Sequence, residues 1–66
     1  MNITVNAEPR TVAARLTVSG LVRTLELPDR GIAVAVDGSV VPRSDWESSV
    51  IAPDARVDVV TALQGG

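Results

Sequence analysis

Hydrophobic residues in this 66-residue chain alternate with polar ones near both ends and follow a helical spacing between them. Residues 1–6 alternate with a period of two, which predicts a half-buried strand whose Ile3 and Val5 face the core. Turn residues follow, among them Pro9, which is excluded from a central strand. Residues 10–14 then predict a short returning strand, so the two segments together predict a hairpin.

The next segment has the spacing of an amphipathic helix. Thr17 is suited to the N-cap position, and Pro28 is expected to stop the helix. Gly20 lies in the first turn, where glycine costs about 1 kcal/mol relative to alanine, so we expect it to permit close packing against a strand. Apolar residues at i, i+3, i+4 and i+7 predict a stripe that packs on a sheet; they are Val18, Leu21, Val22 and Leu25.

Short strands and turns are predicted for the rest of the chain. Ile32–Val36 is the strongest strand, with β-branched residues on one face and alanines on the other. The pair Asp37-Gly38 signals a tight turn into a short strand at residues 40–41. Residues 44–47 predict a helical or 3₁₀ turn that Ser44 could cap. Residues 56–59 alternate cleanly, which predicts a last strand whose valines point inward.

The order of these elements predicts an α+β fold in which one helix packs on one face of a mixed sheet of four to five strands. A hairpin, a helix and a third strand force a crossover, after which the last strand can return to the middle of the sheet beside the first. That arrangement is a β-grasp, the ubiquitin-like architecture. We expect a single domain over residues 1–66, with a flexible C-terminal tail at residues 64–66.

Composition and charge exclude several classes of function. The chain is 45% hydrophobic and 21% charged, as in globular proteins, and has neither cysteine nor histidine. The residues that usually form disulfides, bind zinc and take part in nucleophilic catalysis are thus missing, so we expect neither an enzyme nor a metal site. The net charge of −2 disfavours nucleic acid as a partner. Without a long apolar stretch or a visible signal peptide, we expect a soluble, cytoplasmic protein that does not enter membranes.

All six positively charged residues are arginines, and lysine is absent. A GC-rich genome would favour arginine codons and is one explanation. The other is chemical, because lysine amines would attack an activated acyl group, whereas the arginine guanidinium stays protonated at neutral pH and is a poor nucleophile. The absence of lysine is thus compatible with an activated C-terminus.

The sequence closes with Gln64-Gly65-Gly66. Two glycines beside a free carboxylate have little backbone restriction, so they can thread in extended form into a narrow active site of another protein. The alternative is a frayed end without a function. An α-carboxyl group, with a reference pKa of about 3.5, is ionised and unreactive at neutral pH, so another protein must activate it.

Four segments resemble one known family: residues 32–38 (Ile-Ala-Val-Ala-Val-Asp-Gly), 41–46 (Val-Pro-Arg-Ser-Asp-Trp), 56–60 (Arg-Val-Asp-Val-Val) and the closing Gln-Gly-Gly. On these segments the chain resembles the ThiS sulfur carrier proteins of thiamine biosynthesis, over nearly its whole length. The family typically has asparagine in place of Asp37, and the difference keeps the turn chemistry.

The resemblance implies a relay of sulfur through the C-terminus. A ThiF-like adenylating enzyme would use ATP and magnesium to convert the Gly66 carboxylate into an acyl adenylate. A sulfur donor protein would turn the adenylate into a thiocarboxylate, and a ThiG-like thiazole synthase would take the sulfur. The chain itself would bind no cofactor. Gly66 would be the carrier and Gly65 the slim approach to it.

Several residues are candidates for partner binding. By strand parity Val60 and Ala62 point away from the core, toward a face on which Ala33 and Ala35 could extend an apolar patch. The alternative is that scattered apolar residues on a surface have no role. The predicted partner-binding residues are Val60, Ala62, Leu63, Gln64 and Arg43.

Two of the family's positions allow more than one interpretation. Arg43 either pairs with a partner's carboxylate or is a solvated charge. Trp46, the only aromatic residue, is interpreted as core packing ahead of a partner contact.

Three other functions remain as alternatives to the thiamine carrier. A small subunit of molybdopterin synthase would use the same tail and the same activation. A ubiquitin-like protein modifier would be conjugated through Gly66 to lysines of other proteins. A purely structural interaction domain would tolerate changes in its tail.

Overall fold

The computed structural model describes residues 1–28 and 30–61. None of their helices is long and apolar enough to cross a membrane. In chain order the elements are β1 (Asn2–Val5), β2 (Glu8–Thr11), α1 (Val18–Thr24), β3 (Ile32–Val36), β4 (Ser39–Val41), a 3₁₀ helix (Arg43–Asp45) and β5 (Arg56–Thr61).

The five strands form one sheet in the order β2-β1-β5-β3-β4. The last strand, β5, lies in the middle, parallel to β1 and antiparallel to β3. The chain reaches β3 from the hairpin through α1, so the helix is the crossover that leaves a place for β5. The predicted α+β fold, a β-grasp with a mixed sheet, is confirmed.

The core lies between the sheet and α1. Helix residues spaced as predicted point into it, with Val18, Leu21 and Val22 buried and Leu25 half-buried. The sheet contributes inward residues of β1, β3 and β5, and the segment between the 3₁₀ helix and β5 closes the side. The strand and loop members are Ile3, Val5, Val34, Trp46, Ile51, Ala55 and Val57.

The start of α1 confirms one prediction and corrects another. The Thr17 side chain caps the helix, since its Oγ1 accepts the Gly20 N–H at 3.0 Å. The expectation that Gly20 packs against a strand is wrong. A Cβ at this position would lie 2.8 Å from Cδ1 of Leu16, so the close neighbour is the side chain just before the helix.

The helix ends in a Schellman motif four residues before Pro28. The Leu27 N–H donates to the Val22 carbonyl and the Glu26 N–H to the Arg23 carbonyl, each at 3.0 Å. This geometry places Glu26 in the left-handed region, with φ of +58°. Glycine is the usual residue there, because a Cβ makes that backbone conformation costly.

The predicted hairpin is present, but its second strand starts earlier than expected. Asn6 and Ala7 form a two-residue turn with φ of 52° and 70°, so the returning strand already begins at Glu8 and ends at Thr11. Pro9 is part of this strand because β2 is at the edge of the sheet. In a two-residue hairpin the Thr4–Pro9 pair is not hydrogen-bonded, so the missing N–H of proline would have faced outward.

The other predicted turns are confirmed, with one exception in detail. Asp37 and Gly38 have φ of 52° and 87° and connect β3 to β4. The predicted helical turn is the 3₁₀ helix, but Ser44 does not cap it. Pro42 occupies the N-cap position and no side chain caps the helix.

Replacing Glu26 by glycine should stabilise the domain by about 0.5–1 kcal/mol, because glycine adopts a positive φ without steric cost. Urea unfolding of Glu26→Gly and Glu26→Ala measures the effect. The alanine variant retains a Cβ and should show no comparable gain. A glycine variant no more stable than the alanine variant would contradict the assignment of backbone strain to this position.

Candidate functional site

The central strand β5 leads directly to the predicted functional end of the chain. It pairs with β3 from Val57 opposite Val36 to Thr61 opposite Ile32, and with β1 near its own beginning. Its inward residue Val57 is fully buried. The predicted carrier and most predicted docking positions, Ala62, Leu63, Gln64, Gly65 and Gly66, lie outside the described residues.

Two turn residues add side-chain hydrogen bonds to β5, one on each edge. On the β1 side, Oδ1 of Asn6 accepts the Val59 N–H at 2.8 Å. On the β3 side, Oδ1 of Asp37 accepts the Arg56 N–H at 2.9 Å. Asn6 and Asp37 are each the first residue of a two-residue hairpin turn and have φ of 52°. Each residue therefore forms part of its own turn and also accepts a hydrogen bond from β5, the strand between the two hairpins.

Sequence reasoning missed this role of Asn6 and Asp37. Asparagine and aspartate before a small residue signal a turn, because they tolerate a positive φ. The donor to Asn6 lies 53 residues later in the chain, so no local sequence pattern around Asn6 indicates this hydrogen bond. Only the strand order, which places β5 between the two hairpins, indicates where such a side chain could find a donor.

The outer face of the sheet carries an apolar strip, here defined as Val60, Ala33, Ala35 and Val40. Val60 lies opposite Ala33 and Val40 opposite Ala35. The two valines are 58% and 70% exposed, so the strip faces away from the core, as strand parity predicted for Val60. A role of this strip in partner binding stays a prediction.

Charged side chains border the strip at the beginning of β5. Arg56 and Asp58 approach within 3.6 Å, with both side chains largely open to solvent. An ion pair with this exposure contributes little to stability. It leaves the polar border of the strip with both signs of charge.

Arg43 lies on the other side of the sheet from Val60. It begins the 3₁₀ helix and lines a depression with Arg23, Trp46 and Glu47, between that helix and α1. Strands β4 and β5 are both antiparallel to β3. They therefore run in the same direction, and their C-terminal ends lie at the same end of the sheet. The two predicted docking residues therefore share an end of the domain but not a face, and the role of Arg43 stays a prediction.

Trp46 is part of the core. It is 6% exposed, and its Nε1–H donates to the Val41 carbonyl at 3.0 Å. Its own carbonyl accepts the Ser19 N–H of α1 at 3.1 Å. The tryptophan thus joins β4 to the helix, and the packing interpretation is confirmed.

The comparison with protein families identifies the chain. A model described as the ThiS family matches residues 3–66. The chain belongs to the ThiS family. The match runs through Gly65 and Gly66, so these two glycines are within the family's domain.

Two solved structures are similar to the chain in fold. A crystal structure of the thiamine biosynthesis protein ThiS from Geobacter metallireducens is 29% identical, with a TM-score of 0.86 and complete coverage of both chains. An NMR structure of a thiamine biosynthesis protein from the same organism is 28% identical, with a TM-score of 0.79, covering all of this chain and 88% of that one. No curated protein matches the sequence.

Membership in this family supports a role as a sulfur carrier in thiamine biosynthesis. ThiS proteins are small ubiquitin-like carriers, which agrees with the expectation that the chain is not an enzyme. Membership in the family also implies an interaction with sulfur-transfer partners. In the described part of the chain, no three acidic side chains lie close enough to hold a metal ion together.

Proposed function

We propose that this ThiS protein carries sulfur as a thiocarboxylate on Gly66 for thiazole formation in thiamine biosynthesis. A ThiF-like enzyme, which binds the ATP and magnesium, adenylates the carboxylate. A sulfur donor protein then supplies the sulfur, and a ThiG-like thiazole synthase receives it. The observation that carries the proposal is the family match that continues from the sheet through Gly66.

The position of β5 supports this use of the C-terminus. Thr61 still pairs with Ile32 in the sheet, and five residues can span at most about 18 Å when fully extended. A carboxylate at that distance can enter the active site of a partner while the folded domain stays outside. The domain then binds the partner and the tail delivers the reacting group.

The proposed chemistry uses only the terminal carboxylate of this chain. A carboxylate oxygen attacks the α-phosphorus of ATP and pyrophosphate leaves. Hydrosulfide released by the donor then attacks the acyl carbon, the C–O bond to AMP breaks and AMP leaves, and loss of the S–H proton gives the thiocarboxylate. With no cysteine in the sequence, no side-chain thiol competes for the sulfur. With no lysine, no ε-amine of the chain attacks the acyl adenylate.

The outer-face strip is the proposed docking surface for the adenylating enzyme. It includes Val60, which is in the strand that leads to the tail, and the exposed Val40 two strands away. Contact with apolar side chains here would remove them from water and orient β5 toward the active site. The mixed charges of Arg56 and Asp58 at its border would suit a polar rim.

Removing Gly66 should abolish activation. The truncated chain still ends in a carboxylate, but one residue short, and misplacing a reacting group by about 1 Å can cost about a hundredfold in rate. ATP–pyrophosphate exchange with the adenylating enzyme measures this step. Thermal unfolding of the truncated protein is the control and should be unchanged. Exchange at the full rate without Gly66 would refute the proposed carrier position.

Replacing Val60 by aspartate should reduce kcat/KM for adenylation about tenfold, because the docking contact then buries a charge in place of an apolar side chain. Circular dichroism and thermal unfolding should change little, since Val60 is exposed. Val50→Asp is the matched control, because Val50 is also exposed, at 61%, but lies beside Thr17 on the helix side. Equal kinetics for the two variants would rule out docking through the strip.

A further inference from the structure

The hydrogen bond from Val59 to Asn6 takes the place of a main-chain bond in the β1–β5 ladder. In a parallel pair, one residue donates its N–H to the neighbouring strand and its carbonyl accepts an N–H two positions farther along. The Asn6 N–H donates to the Val57 carbonyl at 2.8 Å. The next donor is the Val59 N–H, and it is bound by Oδ1 of Asn6 at 2.8 Å.

The side-chain oxygen replaces a main-chain acceptor because Asn6 is already part of the turn. With φ of 52°, Asn6 directs the chain into the hairpin and toward β2. Its side-chain amide is long enough to remain in line with β1 and to present an oxygen where the ladder needs an acceptor. The side chain thus extends the parallel pairing by one hydrogen bond beyond the end of the strand.

The bond between Val59 and Asn6 lies close to the C-terminal end of β5. On the β3 edge, β5 stays paired up to Thr61. On the β1 edge, the register between the two strands ends at Val57, and the Val59 N–H adds its bond to Asn6 beyond that point. Asn6, Val59 and Thr61 line one surface groove, so the Asn6 side chain is adjacent to the last residues of β5.

We propose that Asn6 is a positioning residue for sulfur loading: its side-chain amide fixes the end of β5 and so the origin of the tail that carries Gly66. The inference rests on the proposed function of Gly66. If the bond is lost, β5 beyond Val57 is held on one edge only and frays locally. The end of β5 must then be ordered again when the partner binds, and ordering it costs binding free energy.

The expected consequence is a higher KM for adenylation with little change in kcat. Fraying reduces the population of the correctly positioned tail before binding, but the bound complex reacts from the same geometry. A single net hydrogen bond of about 0.5–1.5 kcal/mol corresponds to about a two- to tenfold effect. Hydrogen exchange at the amides of residues 59–61 should accelerate by a similar factor.

Three variants of the full-length chain separate positioning from stability. Asn6→Gly retains the positive φ and removes the acceptor. Asn6→Asp retains both the backbone preference and an acceptor oxygen. Asp37→Gly is the matched control, because it removes the equivalent bond to Arg56 at the opposite end of β5. Hydrogen exchange by NMR and ATP–pyrophosphate exchange are measured for each, together with thermal unfolding.

Asn6→Gly should accelerate exchange at residues 59–61 and raise KM, while Asn6→Asp stays near the wild-type values. Asp37→Gly should lose similar stability but retain the wild-type KM. The proposal is overturned if Asn6→Gly and Asp37→Gly raise KM equally, or if exchange at residues 59–61 is the same in both. In either case loss of activity on Gly66 deletion would still uphold the proposed function. A wild-type chain that is never adenylated would refute that function, and with it the role in loading.

Discussion

The insertion of β5 between β1 and β3 is the constraint on which the rest of this structure depends. Residues near the two ends of the sequence meet in the middle of the sheet, where Thr4 lies opposite Arg56. Val57, at the centre of this arrangement, is completely buried. A domain of 66 residues buries only about 60% of the surface that its unfolded chain exposes and is marginally stable, so it cannot lose the strand that closes its core. Pairing over this sequence separation also predicts folding slower than that of a helical domain of equal size.

The same insertion connects the fold to the proposed function. Because β5 is the middle strand of the sheet and stays paired with β3 up to Thr61, the residues that precede the proposed carrier group belong to a strand and not to a loop. The inner face of β5 fills the core, and the outer face presents Val60 in the apolar strip. The two hairpin turns on either side add the side-chain oxygens of Asn6 and Asp37 to its pairing. One strand therefore contributes to stability, to the proposed docking surface and to the position of the proposed carrier group.

Most of the fold could be predicted from the sequence because its signals are local. Period-two alternation located β1, β3 and β5, helical spacing located α1, and Asp37-Gly38 located a turn. The errors arose where tertiary context decides. Pro9 is excluded from central strands but fits an edge, and the close neighbour of Gly20 is a side chain before the helix. The predicted docking residues Arg43 and Val60 lie on opposite sides of the sheet, an arrangement that becomes visible only when the layers are known, and their roles in docking stay predictions.

The proposed function requires that the sulfur is carried on the Gly66 carboxyl carbon. The most direct test is mass spectrometry of the full-length protein after incubation with ATP, magnesium, the adenylating enzyme and the sulfur donor, with fragmentation to locate the change. If Gly66 is the carrier, one sulfur replaces one oxygen in the fragment that contains Gly65-Gly66, and omission of ATP abolishes the change. Sulfur attached to any other residue, or an unmodified terminus in the complete reaction, would contradict a carrier role of Gly66.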